Sequence, residues 1–189
     1  MNRLLNGIKQ RVTWRIALLF AALFGILYLL INFSSFGVAG LLEVTGGASI
    51  LDFEFGFTYE KALAMLSALG ADGRSFYLRK IIPLDFLFPL SYMLCYTSLI
   101  ALLIKYTSLR KPCIYLLIFP VLGMLCDWTE NTGIIAMLNS YPNLHEWVVS
   151  LTSTSGIFKA VLSAGNLLII VVLLLLVLRK RLSKTAKQK

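Results

Sequence analysis

Four long apolar runs constrain this chain more than any other feature of its sequence. A helix needs roughly 20 predominantly apolar residues to cross a hydrocarbon core about 30 Å thick. The four runs match that length, and we predict an all-α, polytopic integral membrane protein whose four transmembrane helices form an antiparallel bundle. The predicted spans cover about 14–33, 81–104, 113–138 and 156–178, with an outer loop at 34–80 and a cytoplasmic tail at 179–189, in one membrane domain, 1–189.

Composition supports this class and excludes two others. Of the 189 residues, 58% are hydrophobic and 14% are charged, whereas a typical soluble domain is about one quarter charged. The chain is also too apolar for intrinsic disorder, which requires a sequence poor in apolar residues. The first run is longer than the apolar core of a cleaved signal peptide, so we expect it to remain as a signal anchor.

The basic residues indicate which side of the membrane each loop occupies. The chain carries 18 Lys and Arg against 9 Asp and Glu, a formal net charge of +9. Thirteen of the basic residues and none of the acids lie before the first predicted span, between the second and third, or after the fourth. By the positive-inside rule both termini are predicted to be cytoplasmic, in a plasma or inner membrane rather than an organelle.

The same charge distribution bears on binding partners. A basic tail can attract anionic lipid or nucleic acid. Binding to single-stranded nucleic acid uses aromatic residues interleaved with the basic ones, and these segments lack that pattern. The predicted partner is therefore the lipid bilayer, and no nucleic-acid partner is expected.

The outer loop contains two local patterns. Over 51–59 apolar and polar residues alternate strictly, which predicts an extended strand that lies on the bilayer surface or caps the helix bundle. Apolar residues at helical spacing then predict a short interfacial helix over 59–69, with Thr58 as its N-cap and Gly70 at its end. We expect the loop to have no independent core, because it is short and rich in glycine.

A basic and aromatic collar follows this helix. A predicted turn at 71–73 leads into Arg74, Tyr77, Arg79 and Lys80. Such residues typically anchor a helix where it enters the headgroup region. The alternatives are that Arg74 and Arg79 hold an anionic substrate or lipid head, or that this segment gates a cavity.

Charged residues inside the predicted spans are the most specific signal. An ionised side chain costs about 2.5–3.5 kcal/mol at the bilayer centre on insertion scales, so such residues usually face the bundle interior and mark a site. In the second span, Asp85 and Tyr92 share a helical face. Pro83 and Pro89 interrupt the backbone hydrogen bonds around Asp85.

The third and fourth spans each carry three polar residues on one helical face. These residues are Asp127, Glu130 and Asn131 on the third span, and Lys159, Ser163 and Asn166 on the fourth. Helical rise places the carboxyls of the second and third spans at one depth, in the outer half of the bundle. Small residues at 156, 160 and 164 permit close helix contact beside them. Together these faces predict a polar pocket open toward the outer side.

Several functions fit this pocket. In a structural reading, Asp85 or Glu130 pairs with Lys159 and the cluster only holds the helices in register, as in an accessory or assembly subunit of a membrane complex. In a binding reading, the excess of carboxyls over Lys159 binds a small cation, a proton, or a polar or lipid ligand. In an enzymatic reading, a carboxyl acts as general acid or base on a lipid or isoprenoid substrate.

The binding reading is the preferred prediction, because three carboxyls against one lysine leave an imbalance. One carboxyl should then stay protonated, bind a cation, or pair with Arg79 or Lys80. Transport by so short a chain would require a homo-oligomer or a partner membrane protein.

Missing motifs limit the assignment further. The sequence contains no H-E-x-x-H, no G-x-S-x-G and no Gly-rich phosphate loop. Its single histidine, His145, lies in an outer loop, which disfavours a haem or a His-rich metal centre. No metal site is predicted, and catalytic residues and cofactors stay unassigned.

Overall fold

The chain is all-helical wherever the structure describes it, as the sequence predicts. The computed structural model describes residues 12–107 and 115–186, with side chains as far as residue 183. The helices are α1 (Trp14–Phe33), α2 (Val38–Thr45), α3 (Tyr59–Ala68), α4 (Gly70–Phe76), α5 (Ile82–Tyr106), α6 (Ile118–Ser140) and α7 (Glu146–Ala186). The described residues also contain 3₁₀ turns at Leu51–Phe53 and 115–117 and a π-helical turn at Tyr77–Ile81, and they contain no strand.

Three helical stretches are long and apolar enough to cross a membrane by length and composition. They are Trp14–Thr45, Gly70–Tyr106 and Glu146–Ser183. The first contains α1, which has the predicted bounds, whereas the other two begin well before the predicted starts at 81 and 156. The α6 helix has 23 residues but is less apolar, because Asp127, Glu130 and Asn131 interrupt it. A fourth span therefore stays a prediction.

Some predictions concern residues outside the described ranges. These are the start of the third predicted span at 113 and the side chains of Arg3, Lys9, Arg11, Arg110, Lys111, Lys184, Lys187 and Lys189. The predicted orientation depends on them in part. The orientation therefore stays a prediction.

The α5 helix is central to the packing. Helices α1, α6 and α7 all pack against α5, and α6 packs along α7. The α6–α7 contact is close at Gly133, where a Cβ atom would overlap Thr152 Oγ1. The Thr152 hydroxyl donates to the Val148 carbonyl of its own helix at 2.7 Å, so the hydroxyl has a hydrogen-bond partner at this close contact. Small residues permit such close approach between apolar helices.

Buried apolar side chains form two clusters. One joins the segment 38–69 to one end of α5, α6 and α7, and fully buried members are Leu41, Leu66, Tyr77, Ile134 and Met137. The other lies toward the opposite end of α5 and α7, and contains Ile100, Leu103, Ile104, Leu173 and Val177. Buried polar residues of α5, α6 and α7 lie between the two clusters along these helices.

The predicted strand over 51–59 is wrong. The chain forms a 3₁₀ turn at Leu51–Phe53, and Gly56 has a φ of +80°, which ends any extended path. A strand needs a neighbouring strand to pair its backbone, but only helices surround this segment. The Phe57 N–H donates instead to Ser153 Oγ of α7 at 2.7 Å, and the Leu51 side chain is buried in the shared core.

The predicted helix over 59–69 is confirmed as α3. The Thr58 hydroxyl accepts from the Lys61 N–H at 3.3 Å, which caps the helix. Hydrogen bonds from its own backbone N–H, and then from the Thr58 hydroxyl, lower the pKa of the Glu60 carboxyl. The helix ends at Ala68, and Gly70, whose φ is +64°, is the first residue of α4.

The predicted turn at 71–73 is wrong, because these residues lie within α4. That helix continues through the π-helical turn into α5. Helix α2 was not predicted, and it supplies Val38 and Leu41 to the buried core. The segment 38–69 thus packs with the helix ends and shares their core.

The close α6–α7 contact can be tested with Gly133→Ala. The added methyl would overlap Thr152, and overpacking typically costs about 1–3 kcal/mol, more than the roughly 0.5–1 kcal/mol that alanine contributes to a helix. We expect a lower Tm in detergent. The matched control is Gly165→Ala on α7, where a Cβ would lie 3.8 Å from the Phe119 ring and the Tm should stay or rise. Equal Tm values for the two variants would contradict this contact.

Candidate functional site

The Lys159 ammonium is the centre of the polar layer. Its Nζ lies 2.5 Å from Glu130 Oε2, 3.7 Å from Asp127 Oδ1 and 3.8 Å from Asp52 Oδ1. The Lys159 side chain is 19% exposed and that of Glu130 is 1% exposed. One cation therefore connects α7 to α6 and to the segment before α3.

A glycine makes room for the closest of these ion pairs. A Cβ atom at Gly156 would overlap Glu130 Oε1, so the Glu130 carboxylate rests directly against the α7 backbone. A buried carboxylate is tolerated only with a cation or hydrogen-bond donors beside it. Lys159, three residues after Gly156, supplies that cation from the same helix.

Asp52 is a site residue that was not predicted. Its Oδ2 accepts a hydrogen bond from the Tyr77 hydroxyl, while its Oδ1 is the atom nearest Lys159. The alternating pattern had placed Asp52 on the polar face of a strand. Asp52 lies between Leu51 and Phe53, which are both large and apolar. This was the one local sign in the sequence that the Asp52 carboxyl is not a solvent-exposed surface group.

A proline on α5 explains how α6 is attached to it. Pro89 has no N–H, so it cannot donate to the Asp85 carbonyl four residues earlier. The Asn131 side-chain amide donates to that carbonyl instead, at 2.9 Å. Beside it, Trp128 Nε1 donates to the Phe86 carbonyl at 3.0 Å. These two bonds hold α6 against α5 next to the Asp85 side chain.

A cavity of about 520 Å³ adjoins the ion cluster. Its aromatic lining comes from Phe24 and Tyr28 of α1, Phe53, and Phe88, Tyr92 and Tyr96 of α5. Its polar lining comes from Asn32, Asp52, Asp85, Asp127, Lys159 and Ser163. The cavity thus has an aromatic wall and a charged end.

The aromatic wall is a connected row of rings. Phe24 of α1 lies 5.4 Å from Phe88 and 5.9 Å from Tyr96, centroid to centroid. Tyr92 lies 5.7 Å from Phe88 and 5.9 Å from Tyr96. The Tyr92 hydroxyl donates to Asp127 Oδ2 at 3.2 Å, which links the wall to the charged end. The contribution of α1 was not predicted, because only the packing of α1 on α5 brings its rings there.

Five of the ten predicted site residues line the cavity: Asp85, Tyr92, Asp127, Lys159 and Ser163. Glu130 adjoins them through its pairing with Lys159. Asn131 uses its amide nitrogen for the α5 backbone rather than for the cavity. Asn166 is fully buried outside the cavity lining.

The two predicted arginines lie apart from this cavity. Arg74 donates from Nη1 to the Leu66 carbonyl at 2.9 Å, and its guanidinium lies 4.0 Å from the centre of the Tyr141 ring. Arg79 is exposed. Lys80 lies 5.2 Å above the Phe36 ring. The ion pairs of the described residues join none of these three to the carboxylates of the cluster.

Within the described residues no group of three or more His, Cys, Asp or Glu side chains is placed to hold a metal ion. No protein-family model, no curated protein and no solved structure matches the chain. The chemistry of the cavity is therefore the basis for assigning a function.

The buried ion cluster can be tested with Lys159→Met. Removing one member of a buried ion pair costs about 3–5 kcal/mol, so the free energy of unfolding should fall by about that amount. The double variant Lys159→Met, Glu130→Met should recover part of the loss, because one orphaned carboxylate is gone. Denaturant titration in mixed micelles measures both.

The control for this experiment is Lys61→Met. Lys61 pairs with Glu54 outside the cluster and its side chain is 48% exposed, so this variant should lose at most about 1 kcal/mol. A loss at Lys159 as small as that at Lys61 would show that the ammonium does not support the fold.

Proposed function

We propose that this is a multi-pass membrane protein that binds a lipid-like amphipathic ligand in the 520 Å³ cavity. Helices α1, α5, α6 and α7 would cross the bilayer as an antiparallel bundle. One observation carries the proposal: a single cavity combines an aromatic wall with a cluster of charged side chains. Ligand sites of about 300–1,000 Å³ with mostly apolar walls and a few polar groups are typical of small-molecule binding.

The position of the basic residues supports an orientation with the cavity in the outer half. Trp14 at the start of α1 stacks on Tyr106 at the end of α5, with ring centroids 6.2 Å apart. Lys180 near the end of α7 donates to the Tyr106 carbonyl at 3.2 Å. Arg15, Lys105 and Lys180 are thereby gathered at one end, which the positive-inside rule assigns to the cytoplasm. The cluster around Lys159 lies away from that end.

The packing also supports entry from the bilayer. Helices α1 and α7 both pack against α5, but among the described residues they do not pack extensively against each other. Both line the cavity, and we place its entrance between them. Their outer faces carry exposed large apolar side chains, among them Leu18 and Leu19 of α1 and Leu167 and Leu168 of α7. An apolar ligand dissolved in lipid could pass between such faces.

Occupancy of the cavity can be tested with Ala160→Trp. Ala160 lines the cavity, whereas the adjacent Val161 is 56% exposed on the same helix. Three photoreactive dodecyl probes, which share one diazirine-bearing chain and end in an amine, a hydroxyl or a sulfate, are incubated with the protein in dodecyl maltoside. We expect saturable labelling of cavity peptides by at least one probe, and loss of that labelling in Ala160→Trp.

Val161→Trp is the matched control, because it adds the same side chain to the outer face. It should label as the wild type does. If no probe labels the wild type saturably, or if both tryptophan variants label equally, the cavity does not bind amphiphiles and the cluster serves only to hold the helices together.

The orientation can be tested separately. A reporter attached after Lys189 should be active in the cytoplasm. Phe53 is 59% exposed, so Phe53→Cys, in a background without the native cysteines, should react with a membrane-impermeant maleimide applied to intact cells. A reporter active only outside the cytoplasm would show that the orientation is the opposite of the one proposed.

A further inference from the structure

We infer that the ligand of this cavity carries an ammonium group and that Asp85 binds it; this inference rests on the proposed function and names the class of its ligand. The shared chemistry is an amphiphile with a protonated amine next to an alkyl chain. Such an amine could belong to a membrane lipid headgroup or to a free lipophilic amine.

First, the protein leaves one carboxylate of the cavity without a cation. Four carboxylates, those of Asp52, Asp85, Asp127 and Glu130, lie in or beside the cavity. Lys159 pairs with three of them, and no ion pair of the described residues includes Asp85. Asp85 is nevertheless only 9% exposed. A buried carboxylate without a cation is unfavourable, and a ligand ammonium would supply that cation.

Second, the surface next to Asp85 is suited to a cation. Phe88, Tyr92 and Tyr96 follow Asp85 along α5 and line the same cavity, and Phe24 of α1 closes the row. Aromatic ring faces attract cations, and a carboxylate among several rings is well suited to an ammonium ion. The rings also offer an apolar surface for the chain attached to that ammonium.

Third, an anionic head would bind poorly. The only basic side chain that lines the cavity within the described residues is Lys159, and three carboxylates already surround it. An anion would have to displace one of them, which would leave a buried carboxylate unpaired. Asp127 Oδ1 is itself buried without a hydrogen-bond donor. The carboxylates of the cluster therefore have more acceptor oxygens than the Lys159 ammonium can pair.

The dodecyl probes that test the cavity also test this inference. In dodecyl maltoside, which carries no charge, the amine probe should half-saturate the wild type at a concentration about tenfold below that of the hydroxyl probe, and the sulfate probe should not saturate. A hydrogen-bonded charge pair is typically strong enough for a tenfold effect. This comparison uses the wild-type protein and does not depend on a variant that folds.

Asp85→Asn assigns the effect to one carboxylate. The variant should raise the half-saturating concentration of the amine probe about tenfold and leave that of the hydroxyl probe unchanged. Asp72→Asn, an exposed acid on α4 outside the cavity, is the control and should change neither. Unlabelled phosphatidylethanolamine and unlabelled dodecylamine are then added as competitors: competition by the lipid points to a headgroup, and competition by dodecylamine alone points to a free amine.

The possible failures are distinguishable. Saturable labelling with no preference for the amine, or with a preference for the sulfate, would overturn the ammonium inference and leave the proposed binding function in place. An unchanged amine affinity in Asp85→Asn would overturn the role of Asp85. Absence of saturable labelling by all three probes would remove the proposed function itself.

Discussion

The Lys159 ammonium holds together three parts of the chain that are distant in sequence. It reaches Glu130 and Asp127 on α6 and Asp52 before α3, from its own position on α7. In a low-dielectric interior, opposite charges attract strongly, but each also loses its hydration. Such a cluster forms only where the backbones approach closely enough for short contacts, and Gly156 permits that approach by leaving space for the Glu130 carboxylate.

A missing backbone hydrogen bond explains how α5 is attached to α6. Pro89 leaves the Asp85 carbonyl without its helical donor, and an unpaired buried carbonyl is costly. Asn131, one residue after Glu130 on α6, donates to that carbonyl. The polar face of α6 therefore does two things at once: one residue pairs with α7 and its neighbour replaces a missing backbone bond on α5. This fixes Asp85 beside the ion cluster without pairing it.

The helices and their polar faces were predictable because they depend on local order. A run of apolar residues, or polar residues at i, i+3 and i+4, can be read without knowing what packs against them. The failures involve tertiary neighbours. Period two at 51–59 indicated a strand, but Leu51 enters the core while Asp52 meets Lys159 and Tyr77. The α1 rings in the cavity wall were not predicted either. Asn32 lines the cavity with them, but only the packing of α1 on α5 brings that face of α1 to the cavity.

The cavity favours the proposed binding role of the cluster over a purely structural one. A purely structural ion cluster adds little net stability, because apolar side chains of similar volume serve as well. A cavity beside the ion cluster lowers stability further, because the side chains that line the cavity lose packing contacts. This chain keeps both the charges and about 520 Å³ of space, and the lining of that space includes aromatic rings and Asp85, which no described basic residue pairs. Binding an ammonium amphiphile accounts for both costs together, because the ligand fills the space and supplies the missing cation.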